Sequence, residues 1–344
     1  MQDETKKDIK SLLPNELEAE FASLGLPRFR AKQVFKWLSS GVSGFDEMTD
    51  LSKDLRARLD GLYYITSPVV LRRQTSASDG TEKFLWGLAD GNAVESVLMC
   101  YDYGNSVCVS SQVGCNMGCA FCASRGGKVR DLRPSEILDQ VLWTEKETGK
   151  KVSNIVMMGI GEPLDNFENV ERFLRLVNCP EGLNIGMRHI SLSTCGLVSG
   201  IDRLAELDLQ LTLSVSLHAP DDETRSSLMP VNRRWSIAEL TDACVRYFEK
   251  TGRRISFEYA LIRGVNDSDA QADKLAALMK KVHGHVNLIP LNEVDGSPLK
   301  PGDAKRFAAA LKERGVNVTV RRRLGADIDA ACGQLRKRRM KETQ

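Results

Sequence analysis

The sequence predicts an α/β protein in which a small helical unit precedes a parallel sheet, open or curled into a barrel. Three observations predict it. From about residue 105 onward, six strand-like runs alternate with helix-like runs. Polar residues or glycine stand at the ends of those strands, where parallel α/β proteins hold ligands. Before about residue 85, apolar residues recur at helical spacing instead. A length of 344 residues suits one large α/β domain with an appendage.

The elements are taken in chain order. "LPNELEAEFASLGL", "RAKQVFKWLSSG" and "LSKDLRARLDGL" read as helices, with Val34, Phe35 and Leu38 sharing a face. A β segment, "EKFLWGLADGNAVESVLMCYD", turns at Asp90-Gly91. The expected division is a helical accessory domain over residues 1–85 with its β segment reaching about 104, then an α/β domain over 105–344. The six strand-like runs are "SVCVSSQVG", "SNIVMMGIG", "RHISLSTCG", "LQLTLSVSLHA", "RISFEYALI" and "HVNLIPLN". Helical faces between them carry Ile137, Leu138, Val141 and Leu142, then Ile237, Leu240, Cys244 and Phe248, then Leu275, Leu278, Met279 and Val282. The strand ends offer Gly159, Gly161, Glu162, Ser193, Thr194, Ser216, His218 and Asn292, which suggests one shared ligand cradle.

Hydrophobic residues make up 42% and charged residues 27%, so a sizeable core is available without staples. The net charge of +2 excludes a strong global attraction to nucleic acid. Basic runs do occur at 321–323 and 336–339, suited to a solvated surface or to phosphate contact. No run of 18 apolar residues is present, and the charged N-terminus has no apolar signal core. The expectation is a cytoplasmic protein whose nine cysteines are ligands, catalytic groups or core residues rather than structural disulfides.

Three of them crowd one loop: "GCNMGCAFCAS" places Cys115, Cys119 and Cys122 three and then two residues apart. Soft thiolates select iron–sulfur clusters, zinc or copper(I). Three cysteines can hold three irons of a [4Fe–4S] cluster and leave the fourth open to another ligand. A zinc site completed by a distant residue is the alternative. The C-x3-C-x-F-C pattern resembles the signature of the radical S-adenosylmethionine enzymes. That resemblance implies a partial (βα)6 barrel whose open iron binds S-adenosylmethionine and splits it to methionine and a deoxyadenosyl radical.

Further motifs narrow the resemblance. "VCVSSQVGC", "MGIGEPL", "SLHAP", "LMPVN" and "DIDAACGQL" look like the RlmN/Cfr family of RNA adenine methyltransferases, over about residues 15 to 335. The resemblance implies that Cys115, Cys119 and Cys122 hold one cluster. It implies S-adenosylmethionine contacts from Gly161, Glu162, Ser193, Ser216, Leu217, His218 and Asn292. Cys332 matches the cysteine that becomes S-methylated, Cys108 its disulfide partner in turnover, and Glu95 the catalytic acid/base. The resemblance further implies two molecules of S-adenosylmethionine per turnover. Implied partners are 23S rRNA, tRNA and an electron donor such as flavodoxin, with the enzyme a monomer.

The chemistry explains the need for such residues. Hydrogen-bearing ring carbons of adenine are weak nucleophiles, so polar methyl transfer to them faces a high barrier. The family's scheme parks a methyl on a thiolate first, then makes it a radical. The implied product is 2-methyladenosine in 23S rRNA at the peptidyl transferase centre, and at adenosine 37 of some tRNAs. Carbon-8 methylation of the same rRNA adenosine is the alternative, and Pro163 after Glu162 leans against it. A zinc-bearing, non-catalytic RNA-binding module is the reading from another class. Cys100, Cys179, Cys195, Cys244, Met157 and Met158 read as core, and His189, His283 and His285 carry no motif.

Overall fold

The computed structural model describes residues 6–282, 284–291, 298–328 and 335; Asn292, Cys332, His283 and the basic run at 336–339 lie outside the described residues. Helices α1 (Pro14–Ser23), α2 (Arg28–Ser39) and α3 (Lys53–Leu62) form the N-terminal unit. Their buried stripe of Leu17, Phe21, Val34, Phe35, Leu38 and Leu59 joins the same core as the sheet. A buried ion pair adds to the docking: Lys10 Nζ lies 2.7 Å from Asp139 and 2.6 Å from the Thr66 carbonyl.

The chain then builds one sheet of ten strands among the described residues. In chain order these are β1 (Val69–Thr75), β2 (Glu82–Gly87), β3 (Ala93–Tyr101), β4 (Gly104–Cys108) and β5 (Val152–Met157). They continue as β6 (Ile190–Thr194), β7 (Thr212–Ser216), β8 (Ser256–Leu261), β9 (His285–Pro290) and β10 (Val318–Val320). Strands β1 to β4 form an antiparallel meander. From β4 to β10 every neighbour is parallel and consecutive. The six expected parallel strands are β4 to β9, and β10 adds one that was not expected, because a three-residue strand gives too short a pattern to read. A boundary at residue 85 falls inside β2, whose strand is continuous with the sheet.

Helices α4 (Pro134–Thr148), α5 (Phe167–Asn178), α6 (Val198–Glu206), α7 (Asp222–Leu228), α8 (Ile237–Thr251), α9 (Asp269–Val282) and α10 (Ala304–Glu313) connect the strands. Local signals start them. Pro134 opens α4, where the missing N–H costs nothing, and Ser236 caps α8 in a reciprocal box with Glu239. No described helix is long and apolar enough to cross a membrane.

Alternation along the strands splits the sheet into unlike faces. The outer face presents Val107, Ile155, Leu192, Leu213, Val215, Phe257 and Leu288, all buried in the main core. Each such side chain stabilises the fold by about 1.5–3 kcal/mol. The inner face carries Ser191, Ser193, Ser214, Ser216, Ser256, Glu258 and Asn287 across β6 to β9. The sheet curls around that polar face. Arg321, just after β10, places Nη1 3.5 Å from the sulfur of Met158, just after β5. In a flat sheet those strands, five steps apart, would be about 24 Å from each other.

Candidate active site

The loop from β4 to α4 carries the three cysteines. It opens as a hairpin pairing Gln112–Cys115 with Gly127–Asp131. Gly114 makes the hairpin possible: its φ is +85°, and a Cβ there would stand 2.0 Å from the Gly127 carbonyl oxygen. Farther on, the Ala120 N–H donates to the Leu228 carbonyl at 2.8 Å, which ties the loop to the end of α7. The ring of Phe121 meets His218 edge-on, with centroids 4.6 Å apart. The aromatic of the motif is therefore the bridge between the cysteine loop and the end of β7.

Burial raises the thiol of Cys115 to about 11 and that of Cys119 to about 12, and the neighbouring thiols push the same way. Such thiols stay protonated at neutral pH until a metal displaces the protons. Among the described residues, no three His, Cys, Asp or Glu side chains converge on one ion. A cubane cluster does not ask for that, because each thiolate holds a different iron. The donor set fits the cluster.

The strand ends above the loop form the cradle. Gly161 has φ +113°, and a Cβ would meet Ser111 Oγ and Gln112 Cβ at 2.7 Å. Ser111 Oγ is buried there without a hydrogen-bond partner, a donor waiting for a polar ligand. Glu162 is fully enclosed. Its carboxylate accepts from the N–H groups of Cys195 at 2.7 Å and Leu164 at 3.1 Å, and burial raises its proton affinity. Among the described residues no cationic side chain pairs with it, so an ammonium-bearing ligand would complete the site.

His218 stands at φ +56° at the end of β7. The N–H groups of Leu217 and His218 donate to the Glu258 carbonyl at 3.0 and 3.2 Å. The Ala260 N–H donates to His218 Nδ1 at 2.8 Å, so the ring proton sits on Nε2. Burial pushes His218 down to about 3, and the Arg225 guanidinium acts in the same direction. The imidazole is neutral at working pH.

Register, not sequence distance, unites the remaining residues. Leu85 faces Glu95, Lys83 faces Val97, and Val97 faces Cys108. Cys108 in turn faces Val156, and Val156 faces Ser191. Because side chains alternate, Glu95, Cys108, Ser193 and Ser216 all lie on the inner face. Cys108 is buried with Val97 and Met99 in a small cluster separate from the main core. No disulfide joins two of the described cysteines, and Cys332, the implied partner of Cys108 in turnover, lies outside the described residues. Its near neighbour Leu335 is buried against Leu85 and Ala93, beside Glu95.

Five residues escaped the sequence reading or were read with another role. Lys83 Nζ lies 2.8 Å from the Glu95 carboxylate, and both are buried. A lone lysine in a strand resembles an exposed edge charge, and nothing in the sequence marks it otherwise. Arg225 is fully buried and donates to the carbonyls of Cys195, Ser216 and Leu217, fixing two strand ends together. Met158 and Arg321 were expected in the core and against phosphate; both turn to the inner face. Cys195 is core by burial, yet its backbone holds Glu162 and Arg225.

Comparison with known proteins agrees with this geometry. Residues 109–276 match the model of the radical SAM superfamily, and residues 7–65 match the ribosomal RNA large subunit methyltransferase N-terminal domain. A "Probable dual-specificity RNA methyltransferase RlmN" of Desulforamulus reducens is 55% identical, with 97% of each chain covered. The protein of the same description from Lachnospira eligens is 51% identical at the same coverage. The crystal structure of a radical SAM methyltransferase from Sphaerobacter thermophilus superimposes with a TM-score of 0.90 at 46% identity, covering 95% of this chain and 98% of that one. Joined to a three-cysteine loop beneath a polar strand-end cradle, these likenesses show that the chain belongs to the RlmN family of radical S-adenosylmethionine RNA methyltransferases.

Proposed function

We propose that this chain methylates carbon 2 of adenosine in 23S rRNA, at the peptidyl transferase centre, and adenosine 37 of some tRNAs. The observation that carries the reading is the shared inner face of Glu95, Cys108, Ser193 and Ser216, which lets one ligand cradle and two reacting side chains meet one substrate base. The dual-specificity RNA methyltransferase description shared by the relatives supports action on more than one RNA, and among the described residues no feature of the site favours carbon 8.

When bound to Cys115, Cys119 and Cys122, a [4Fe–4S] cluster supplies the electron that splits S-adenosylmethionine. Gly161, Ser193, Ser216, Leu217, His218 and Asn292 hold that molecule, and Glu162 takes its ammonium. Cys332 first accepts a methyl from one S-adenosylmethionine by displacement at the sulfonium. Split at the cluster, a second molecule would supply the radical that takes a hydrogen atom from the Cys332 methyl, and the Cys332 methylene carbon then adds to carbon 2 and joins RNA to protein. Glu95 takes the carbon-2 proton while the adduct gives up its unpaired electron to the electron carrier. The Cys108 thiolate attacks the Cys332 sulfur, the displaced carbon takes up a proton to become the methyl, and the disulfide left behind is reset by a cellular dithiol reductant. Flavodoxin fits the role of electron donor, and a cytoplasmic monomer fits the reaction.

The domain over residues 1–85 and the rim arginines Arg322 and Arg323 are the proposed RNA contacts, the target base being drawn out of its stack. The test is to incubate reduced, iron-loaded protein with S-adenosylmethionine and unmodified rRNA or tRNA, then digest and identify the nucleoside. The expected product is 2-methyladenosine. 8-Methyladenosine would overturn the carbon assignment, and deoxyadenosine that never forms would overturn the whole reading.

A further inference from the structure

After β10 the chain does not continue outward from the sheet edge. Residues 321–328 cross the inner face toward the opposite edge, where β1 turns into β2. On the way Leu324 packs on the cluster of Val97, Met99 and Cys108. At the far side two carboxylates form a reciprocal clasp. Asp79, on the β1–β2 turn, accepts the Gly325 N–H at 2.7 Å. Asp327, on the crossing segment, accepts from Ser76 Oγ at 2.6 Å, Ser78 Oγ at 3.1 Å and the Ala77 N–H at 2.8 Å.

The clasp joins residues about 250 positions apart, after the last strand of the sheet is complete. Asp327 is solvent-exposed, where each hydrogen bond is individually weak because water competes for both partners. Four weak, directional bonds set a position better than they hold a fold. The residues just beyond the clasp give that position a purpose. Cys332 comes five residues after Asp327 and three before Leu335, which is seated on Leu85 and Ala93. The described residues on either side of Cys332 in the chain, Asp327 and Leu335, are thus both held against β1 to β3, the edge of the sheet that includes Glu95.

We propose that Asp327, seated in the Ser76–Ala77–Ser78 turn, is a positioning residue for the Cys332 thiol, with Asp79 holding the same segment from the other side. This rests on the reading that Cys332 carries the methyl. Opening the clasp leaves the cysteine loop and the strand-end cradle untouched, since none of their residues takes part in it. It therefore uncouples cleavage of S-adenosylmethionine from delivery of the methyl.

The test compares Asp327→Ala with Ser76→Ala/Ser78→Ala, which removes hydroxyl donors from the opposite partner, in full-length iron-loaded enzyme. Deoxyadenosine formation should stay within about twofold of the parent while methylated adenosine falls about tenfold, because small misplacements of a reacting group are costly. Asp327→Asn, which keeps one acceptor oxygen, should restore part of the coupling. A second readout needs no cluster: alkylation of Cys332 in the cluster-free chain, mapped by mass spectrometry, should change about threefold or more in both variants, with buried Cys244 unchanged. Coupling and alkylation that both match the parent in both variants would overturn the proposal. If the parent itself makes no deoxyadenosine, the methyl-transfer reading fails, and the alkylation arm alone decides the clasp.

Discussion

The two faces of the sheet are built from alternate residues of the same strands, and they do opposite work. On β8, Phe257 and Tyr259 point outward into the core, while Ser256 and Glu258 point inward. On β3, Val94 and Leu98 pack outward, while Glu95 and Val97 face the site. The outer face is apolar because helices cover it and water must leave. The inner face can stay polar because its groups are paired with one another, as Asn287 is with Glu258 at 2.9 Å and Ser191 with Ser214 at 3.1 Å. Stability and chemistry are thus separated here by a period of two residues rather than by domain.

The most direct test of that separation is Cys108→Ala. Its side chain is small and belongs to an inner cluster, so the melting temperature should hardly move. Under the proposed mechanism, turnover should fall by about a thousandfold, because Cys108 would free the RNA. Gel analysis should then show RNA retained covalently on the protein. The mirror experiment is Phe257→Ala on the outer face. Denaturant unfolding should show a loss of about 4 kcal/mol, while deoxyadenosine formed per folded, iron-loaded molecule stays near the parent value.

Lys83→Met attacks an inner pair placed to serve both purposes. Removing one member of a buried ion pair costs about 3–5 kcal/mol and leaves the Glu95 carboxylate without that partner. Both stability and methylation should drop; a variant with parental stability would contradict the dual role of this residue. The last prediction concerns pH, where the effect is small within any one pH unit. His218 has an ordinary value of 6.5 and a folded value of about 3, so the unfolded chain binds the extra proton between them. Stability conferred by the neutral ring is full above about 6.5 and is lost as pH falls toward 3, by up to about 1.4 kcal/mol per pH unit. The pH slope of unfolding below 6.5 should be shallower in His218→Gln.

Much of this architecture is legible in the chain itself. The parallel strands β4 to β9 announce themselves because buried strands concentrate β-branched and apolar residues between turn signals. The cysteine loop and the Gly161-Glu162 turn are legible because their chemistry depends on residues close together in the chain. Arg321 illustrates the limit. Beside two other arginines it looks like a phosphate contact, yet the crossing of the chain aims it at Met158. Lys83 carries no local mark at all, and Asp327, although it opens the "DIDAACGQL" motif, likewise takes its meaning from a partner on another segment.

The sequence alone determined which elements form and which chemical groups are available: periodicity and turn residues act within a few positions, and thiols, carboxylates and imidazole keep their chemistry wherever they sit. Only the tertiary structure decided which groups meet. Strand register places Glu95 on the same face as Cys108, and the curl of the sheet brings its two edges within reach of one crossing segment. Those outcomes depend on contacts between residues far apart in the chain, and no window of sequence encodes a distance across a folded sheet.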